Sequence, residues 1–252
     1  MIDFVQYICD VNGANDITEA FGILEKYLAQ LGFDRVVYSL ITDHPHINQK
    51  RGHGILRNYP EDWMKYYFAH NYFEVDPVIK VIKQHNGAFL WNSVPELKNG
   101  LQRDEYVLME EAREAKLLDG VGIGFHGTCG RVVGMGVASS AGKAYIDKNS
   151  VSLIYALCSQ FHLFYQEFES RSSAVPIQLS PREKEVLTWT AEGKSRTAIG
   201  EILNISDDTV KTYITRVYAK LGVNSIPLAI LKAVMLGLIY PNIHQKDVIC
   251  PA

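Results

Sequence analysis

The chain has 252 residues, of which 47% are hydrophobic and 21% are charged, and both fractions are ordinary for a globular protein. This composition excludes an intrinsically disordered chain and a collagen-like repeat. The formal net charge of −3 excludes a uniformly basic nucleic-acid binder, although a local basic face remains compatible with it.

The N-terminal residues and the cysteines indicate a cytoplasmic protein. The chain starts Met1-Ile2-Asp3-Phe4, whereas a signal peptide begins with a basic segment followed by an apolar one. No apolar run approaches the length of about 18 residues that a membrane-spanning helix needs. The four cysteines form no C-x-x-C pair, so we expect reduced thiols and no zinc site.

The first part of the chain predicts helices on either side of antiparallel strands. Helical spacing of apolar residues and short apolar runs predict, in chain order, a helix at 20–31, strands at 35–42, 121–125 and 132–138, and a helix at 151–169. Because a short turn separates the last two strands, we expect them to form a hairpin. This order of elements predicts an α/β/α sandwich, an architecture that often encloses a small ligand.

A polar, serine-rich segment with a proline predicts a linker at residues 169–178. It divides the chain into a domain at residues 1–168 and a second domain at residues 179–252. The first domain combines helices and strands, and the second has helical patterns only. The predicted fold class is therefore α+β, with an N-terminal α/β/α sandwich and a C-terminal all-α domain of four helices.

The second domain has the outline of a helix-turn-helix. Ser180-Pro181-Arg182-Glu183 is a capping box with proline at the first helical position. A short helix at 195–203 follows, then the turn Asn204-Ile205, and then a third helix that Ser206 caps. A fourth helix is predicted at 227–238. Two short helices joined by a tight turn within such a unit are typical of DNA-binding domains.

The third helix of this domain carries side chains that suit contact with DNA. Its predicted exposed face holds Lys211, Thr212, Thr215, Arg216 and Lys220. Short polar side chains can reach base edges, and long cationic ones can reach phosphates. The charge asymmetry is modest, since residues 177–240 contain eight basic and six acidic residues. On charge alone, a solvated helix face explains these residues better.

Several motifs of the second domain occur in the order and spacing of a known family. They are 179–187 (LSPREKEVL), Gly193-Lys194-Ser195, Ile205-Ser206, Thr209-Val210-Lys211-Thr212 and Ala219-Lys220-Leu221-Gly222-Val223. With these motifs, residues 177–240 closely resemble the DNA-binding domain of LuxR-type transcription factors. Two positions depart from the family pattern, because Tyr213 stands where histidine is common and Ile226 where arginine is common.

Motifs of the first domain resemble another part of the same family. They are 58–63 (NYPEDW), Tyr66-Tyr67, Val75-Asp76-Pro77-Val78, Phe89-Leu90-Trp91 and Asp119-Gly120-Val121. Most of residues 15–165 thereby resemble the acyl-homoserine lactone-binding domain of the quorum-sensing branch. The resemblance implies a quorum-sensing transcriptional regulator whose ligand is an N-acyl-homoserine lactone and which has no further cofactor.

The resemblance also implies a role for each residue of the ligand site. Trp63 would donate to the lactone carbonyl, Asp76 would accept from the amide N–H, and Tyr59 would donate to the acyl carbonyl. Tyr67 and Trp91 would form aromatic walls near the lactone. A buried aspartate suits this arrangement, because a buried acid without a partner is costly. Without the resemblance, an aromatic core with an Asp-Pro helix cap explains these residues better.

Gly136 is expected to affect the choice of acyl group. Many relatives have serine or threonine near this position, and that hydroxyl usually helps to hold the acyl carbonyl. Glycine removes the donor and is expected to leave space. We therefore expect the cavity to admit an unusual acyl group that is branched, aromatic or bulky, and Gly136→Ser to shift the acyl preference.

The resemblance further implies that the protein binds double-stranded promoter DNA. Two half-sites one helical turn apart suit a two-fold protein, so a homodimer on a dyad-symmetric site is expected. By family position, Lys211 and Thr215 would contact bases, and Thr209, Arg216 and Lys220 would contact phosphates. RNA polymerase is an expected further partner, and no membrane contact is expected.

Two alternatives remain open at this point. The first is a receptor of the same architecture that senses another small molecule or none. The second is an enzyme fused to a DNA-binding domain. The sequence offers no nucleophile motif and no metal-binding motif, so we expect no catalytic residue, no metal and no enzymatic activity.

Overall fold

A computed structural model describes residues 2–44, 49–127, 130–142, 146–172 and 177–242. The chain divides into two units, of which the first comprises residues 1–127 and 131–173 and the second contains residues 174–252. The last helix of the first unit continues to Ser172, so the first residues of the predicted linker are helical. Residues 173–176 of that linker lie outside the described ranges.

An antiparallel sheet lies at the centre of the first unit, and its strand order in the described residues is β2-β1-β5-β4-β3. The strands are β1 (Arg35–Leu40), β2 (Gly52–Arg57), β3 (Gly87–Leu90), β4 (Leu118–His126) and β5 (Val132–Ser139). β4 and β5 form the predicted hairpin. In the pairing of β1 with β5, Val37 is opposite Gly136 and Ser39 is opposite Gly134.

Helices of very different length surround this sheet. They are α1 (Phe4–Asn12), α2 (Ile17–Ala29), α3 (Glu61–Ala69), α4 (Pro77–Ile82), α5 (Val94–Leu97), α6 (Arg103–Glu114) and α7 (Lys148–Ser172). Side chains of α1, α2 and α7, among them Tyr7, Leu24 and Phe161, pack with Tyr38 in one core. On the opposite face, Val37 packs with side chains of α3 and α6. The predicted α/β/α sandwich is therefore confirmed.

Glycines alternate with large apolar residues along β4 and β5. On β4, Val121, Ile123 and Phe125 lie in the core beneath α1, α2 and α7, and because successive side chains of a strand alternate, the glycines between them face the other side. A Cβ atom at Gly120 would lie 1.9 Å from the Trp91 indole, and one at Gly122 would lie 2.4 Å from the Phe89 ring. These glycines allow both rings to lie directly on the sheet.

The second unit consists of helices in its described part, which confirms the predicted all-α domain and the α+β class of the chain. They are α8 (Pro181–Ala191), α9 (Arg196–Leu203), α10 (Asp207–Leu221) and α11 (Ile226–Met235). Ser180, Ser195 and Ser206 cap α8, α9 and α10 with their side chains. Taken together, α10 and α11 have the length and composition of a membrane span but are bent by 58°, and no single helix of the described residues has both properties.

Two strands and several helices have no counterpart in the sequence predictions. β2 contains Gly52 and Gly54 and is only partly buried, and β3 has four residues at the other edge of the sheet. Neither segment offers the long apolar run or regular alternation by which strands are predicted. The short helices α4 and α5 similarly lack a full amphipathic repeat, because each spans fewer than two turns.

Candidate functional site

A cavity lies on the glycine-bearing face of the sheet, beside α3, α4 and α6. Its empty space, with the open mouth included, is about 540 Å³. Most of the wall is apolar, and the polar or aromatic side chains in it are Ser39, His53, Tyr59, Tyr67, Asp76 and Trp91. A mainly apolar cavity with a few converging polar groups is the usual form of a ligand site.

Asp76 is buried in this wall and held in one orientation. It is the N-cap of α4, where Oδ1 accepts hydrogen bonds from the backbone N–H groups of Val78 at 2.8 Å and Ile79 at 3.3 Å. The Tyr67 hydroxyl donates to Oδ2 at 2.8 Å. Burial raises the pKa of Asp76, and these hydrogen bonds act in the opposite direction. The carboxyl therefore faces the cavity as a preoriented acceptor.

Two hydrogen-bond donors in the cavity wall have no partner within the described part of the chain. They are the Tyr59 hydroxyl and the indole Nε1 of Trp91, and both atoms are buried. Burial raises the pKa of Tyr59 well above its usual range, so the hydroxyl keeps its hydrogen. A buried donor without an acceptor costs about 1–3 kcal/mol. Such a pair in one cavity is consistent with a site that a ligand completes.

Gly136 lies next to the side chains that carry these two donors. A Cβ atom at Gly136 would lie 2.6 Å from the Tyr59 hydroxyl and 3.5 Å from Cζ2 of Trp91. The expectation that this glycine leaves free space is therefore wrong, because the Tyr59 hydroxyl fills the position of the missing side chain. The same contact implies that serine at 136 would displace Tyr59.

Of the six predicted ligand-site residues, five line the cavity: Tyr59, Tyr67, Asp76, Trp91 and Gly136. Trp63 is buried but is absent from the described lining of this cavity. Its ring centroid lies 6.0 Å from that of Tyr67 and 6.2 Å from that of Tyr66. In this arrangement Trp63 supports the aromatic wall from behind.

The sequence predictions missed two polar residues of the cavity, Ser39 and His53. Ser39 lies between Val37 and Ile41, which both line the cavity, so the alternation of β1 could have identified it. His53 belongs to β2, which the sequence did not predict. The His53 ring stacks on Tyr67 with centroids 4.6 Å apart.

The second candidate site is the exposed face of α10. Val210, Ile214, Val217 and Leu221 are buried, as the predicted stripe requires. Gly200 and Asn204 allow the tight turn between α9 and α10. A Cβ atom at Gly200 would lie 2.7 Å from the Ile205 carbonyl oxygen, and Asn204 has a φ of 55° in the left-handed region. The tight turn leaves the opposite side of α10 accessible.

The predicted DNA-binding side chains of α10 differ in their contacts. Lys211 is exposed, and no hydrogen bond or ion pair of its side chain is found among the described residues. The Thr215 hydroxyl donates to the Lys211 carbonyl at 3.0 Å, and the Arg216 guanidinium lies 5.8 Å from the Tyr213 ring centroid. Thr209 and Ser206 share a hydrogen bond of 2.8 Å at the helix N-terminus.

Lys220 is already paired within the protein. Its Nζ lies 2.7 Å from a carboxylate oxygen of Glu183 on α8. Burial raises the pKa of Glu183, but the hydrogen bonds from Lys220 and Ser180 outweigh it and lower the pKa overall. Lys220 thus joins α10 to α8, and a phosphate would have to compete with Glu183 for it.

Comparison with known families gives a match for each unit. Residues 16–165 match the family described as autoinducer binding domain. Residues 177–233 match the family described as bacterial regulatory proteins, luxR family. The first match covers more than half of the chain.

Two curated relatives extend the similarity over nearly the whole length. The transcriptional activator protein SolR of Ralstonia nicotianae is 31% identical over 237 residues, which are 90% of this chain and 94% of that protein. The transcriptional activator protein LuxR of Aliivibrio fischeri is 29% identical over 205 residues, which are 80% and 81% of the two chains.

The fold is similar to a solved structure. A crystal structure of Escherichia coli SdiA aligns with a TM-score of 0.73 and 25% identity, over 94% of this chain and 99% of that one. A second structure, SdiA in complex with octanoyl-rac-glycerol, aligns with a TM-score of 0.72 and 23% identity, over 94% and 97% of the two chains.

Proposed function

The chain belongs to the LuxR family of transcriptional regulators and carries an autoinducer-binding domain, and from this premise we propose that its ligand is an N-acyl-homoserine lactone. The family is one of transcriptional regulators, not enzymes. The proposed ligand has an amide N–H, an acyl carbonyl, a lactone carbonyl and an apolar tail. The cavity offers counterparts to the amide N–H, the acyl carbonyl and the apolar tail.

The two buried donors without partners are the observation that carries this proposal. The Tyr59 hydroxyl donates to the acyl carbonyl, and the Trp91 indole, which faces the same point of β5, donates to the second lone pair of that oxygen. Asp76 accepts from the amide N–H, because its carboxyl is held toward the cavity by Tyr67 and α4. One amide group of the ligand thus satisfies three buried polar groups.

The aromatic residues have separate roles in the proposed complex. Tyr67 orients Asp76 and forms a wall of the cavity. Trp63 is proposed to donate to the lactone carbonyl, for which its indole turns from its packing against Tyr66 and Tyr67 toward the cavity. Gly136 gives the Tyr59 hydroxyl room to reach the acyl carbonyl.

Ligand binding would act on the protein through stability. A cavity whose buried donors lack acceptors destabilises the unliganded fold, and a ligand that supplies the acceptors removes this cost. A ligand that binds only the folded protein adds about 2.7 kcal/mol at a hundredfold excess over its dissociation constant. This gain is large beside a total stability of roughly 5–15 kcal/mol.

The second unit is proposed to bind a dyad-symmetric promoter site as part of a homodimer, with RNA polymerase as a further partner. Lys211 and Thr215 would contact bases, because both are exposed on the same side of α10. Arg216 and Thr209 would contact phosphates. Lys220 is proposed to reach a phosphate only in competition with Glu183.

Thermal unfolding against a panel of acyl-homoserine lactones tests the proposed ligand. The panel contains straight, branched, aromatic and oxygen-substituted acyl groups. A concentration-dependent rise in Tm with some of them is expected, and no rise with any of them would contradict the proposal.

A different acyl ligand is the second candidate function. The structure of SdiA with octanoyl-rac-glycerol favours it, because that compound lacks the lactone and amide. The panel therefore includes octanoyl-rac-glycerol. A rise in Tm with this compound alone would replace the lactone as the proposed ligand while leaving the regulator assignment intact.

A further inference from the structure

Ser39 and His53 form a polar pair in the cavity wall that the proposed ligand contacts do not use. The Ser39 hydroxyl lies 3.0 Å from Nδ1 of His53 and accepts a hydrogen bond of 2.9 Å from the Gly54 backbone N–H. The His53 ring is held against Tyr67, with 22° between the ring planes. Both side chains line the cavity, so the pair is a fixed polar feature of its surface.

The hydrogen bonds of Ser39 determine which nitrogen of His53 carries the hydrogen. Ser39 is only 2% exposed, and its hydroxyl hydrogen needs an acceptor, since the Gly54 N–H already occupies one of the oxygen's acceptor sites. Because Nδ1 of His53 lies 3.0 Å from the Ser39 hydroxyl oxygen, we assign Nδ1 as that acceptor. A neutral imidazole then carries its hydrogen on Nε2. No partner for Nε2 is found in the described part of the chain, so this N–H is available to a ligand.

The imidazole is neutral at the pH of a cell. Burial lowers the pKa of His53 to about 4, and the positive charge of Arg57 acts in the same direction. The position of Arg57 is fixed within β2, because its guanidinium donates a hydrogen bond to the Gly54 carbonyl at 2.8 Å. His53 thus presents a neutral donor, which suits a keto or hydroxyl oxygen, because a carboxylate or phosphate buried beside it would gain no compensating positive charge from it.

The register of β1 and β5 places this donor beside the region that the acyl chain would occupy. Val37 pairs with Gly136, where Tyr59 and Trp91 face the cavity, and Ser39 pairs with Gly134. Two residues of a strand span about 7 Å. At the Gly134 position, the nearest side chains are those of Ile41 and Ile82. The cavity wall near Gly134 is therefore aliphatic. Ser39 and His53 are the polar side chains in this part of the wall.

We propose that the N–H of His53, held by Ser39, recognises an oxygen atom on the acyl chain. The protein therefore prefers an acyl group with a keto or hydroxyl substituent over the unsubstituted group of the same length. This inference rests on the proposed function, since it concerns the acyl part of the same ligand.

The test compares lactones in matched pairs that differ only in one oxygen. The pairs are 3-oxooctanoyl with octanoyl homoserine lactone, and 4-hydroxycinnamoyl with cinnamoyl homoserine lactone. By calorimetric titration of the full-length protein, we expect the oxygen-bearing member of at least one pair to bind about fivefold to tenfold more tightly. In His53→Phe, which keeps an aromatic ring against Tyr67, this ratio is expected to fall to about one.

Two further variants separate recognition from general effects on the fold. Ser39→Ala removes the hydrogen bond that fixes the hydrogen of His53 on Nε2. The ratio of the affinities for the oxygen-bearing lactone and its unsubstituted partner is therefore expected to fall. His70→Phe is the matched control, because His70 is exposed at the end of α3 and does not line the cavity, and it is expected to keep the ratio of the unchanged protein.

The outcomes distinguish this inference from the proposed function. If lactones bind but neither pair shows a preference for oxygen, or if His53→Phe retains the preference, the role of His53 is refuted while the lactone assignment stands. If no lactone binds to the unchanged protein, the proposed function fails and the inference fails with it.

Discussion

Trp91 combines two properties that seldom occur together, since it has a well-packed ring and a buried N–H without a partner among the described residues. Trp91→Phe keeps an aromatic wall and removes this donor. We expect the lactone affinity to fall about fivefold to tenfold, which corresponds to the loss of one hydrogen bond. Without ligand, only a small loss of stability in urea is expected, because removal of a buried group without a partner offsets part of the packing that the smaller ring loses. Unchanged affinity would show that the indole does not donate to the ligand.

Gly136 and Tyr59 are expected to be coupled, because the missing side chain of one makes room for the hydroxyl of the other. Gly136→Ala places a Cβ atom 2.6 Å from that hydroxyl and should destabilise the protein by about 1–3 kcal/mol. In the double variant with Tyr59→Phe, most of the stability should return while lactone affinity stays low. Urea unfolding of both single variants and the double variant measures the coupling, and additive effects would contradict it.

The sequence identified most of the polar end of the cavity and little of its apolar wall. Tyr59, Tyr67, Asp76 and Trp91 were found through motifs whose residues lie far apart in the chain but meet in the fold. The contact between Gly136 and the Tyr59 hydroxyl could not be predicted, because it depends on the position of an aromatic side chain from another segment. The sequence shows that residue 136 has no side chain, but it does not show that the Tyr59 hydroxyl occupies the space.

At the level of secondary structure, capping signals predicted the helices of the second unit well. The residues that cap α8, α9 and α10 accept backbone hydrogen bonds as expected. The interval between β1 and β4 was harder, because short elements there depend on contacts with the sheet and with one another. β3 has only four residues, so its strand conformation follows from pairing with β4 rather than from local propensity.

Glu105 connects α6 to the short helix α4 and to the residue that follows the short helix α5. It lies in the first turn of α6 and forms ion pairs with Lys80 of α4 and with Lys98, which follows α5. Burial raises its pKa, but the two lysines outweigh burial and hold the pKa at about 2, below the ordinary value of 4.5. Because the folded-state pKa is lowered, this carboxylate stabilises the protein above about pH 4.5, and the contribution is lost as the pH falls toward 2.

Glu105→Gln is therefore expected to destabilise the protein near neutral pH. The difference in urea midpoint between the variant and the unchanged protein should shrink as the pH is lowered from about 5 to 3. A difference that stays constant over this range would mean that the charge of Glu105 contributes nothing. Glu111, whose oxygens accept hydrogen bonds from Tyr66 and Tyr72 instead of lysines, provides the comparison variant Glu111→Gln.

On α10, the exposed side chain of Lys211 is available to DNA, whereas that of Lys220 pairs with Glu183. Lys211→Ala should lower promoter affinity by about 1–3 kcal/mol and relax sequence preference, as the loss of a base contact does. The rise in Tm with lactone should remain. Fluorescence anisotropy with a promoter fragment at fixed salt measures the affinity, and Lys184→Ala on α8 is the control. A loss of ligand response in Lys211→Ala would contradict the separation of the two activities.

At the scale of the whole molecule, each unit has its own core, one built around a sheet and the other from helices. A ligand in the first unit should therefore stabilise that unit selectively. Scanning calorimetry with a hundredfold excess of lactone over its dissociation constant is expected to add about 2.7 kcal/mol to the unfolding of the first unit. The transition of the second unit should keep its midpoint. Equal shifts of both transitions would show that the units unfold as one.

The alternation along β1, β4 and β5 has a consequence for how this protein can diversify. Positions 36, 38 and 40 of β1 secure the fold, whereas positions 37 and 39 contact the cavity. Substitutions at positions 37 and 39 can therefore change which ligand binds, while the core positions 36, 38 and 40 stay the same. A combinatorial library restricted to positions 37, 39 and 53 would sample ligand recognition while the hydrophobic support on the opposite side of the sheet stays constant.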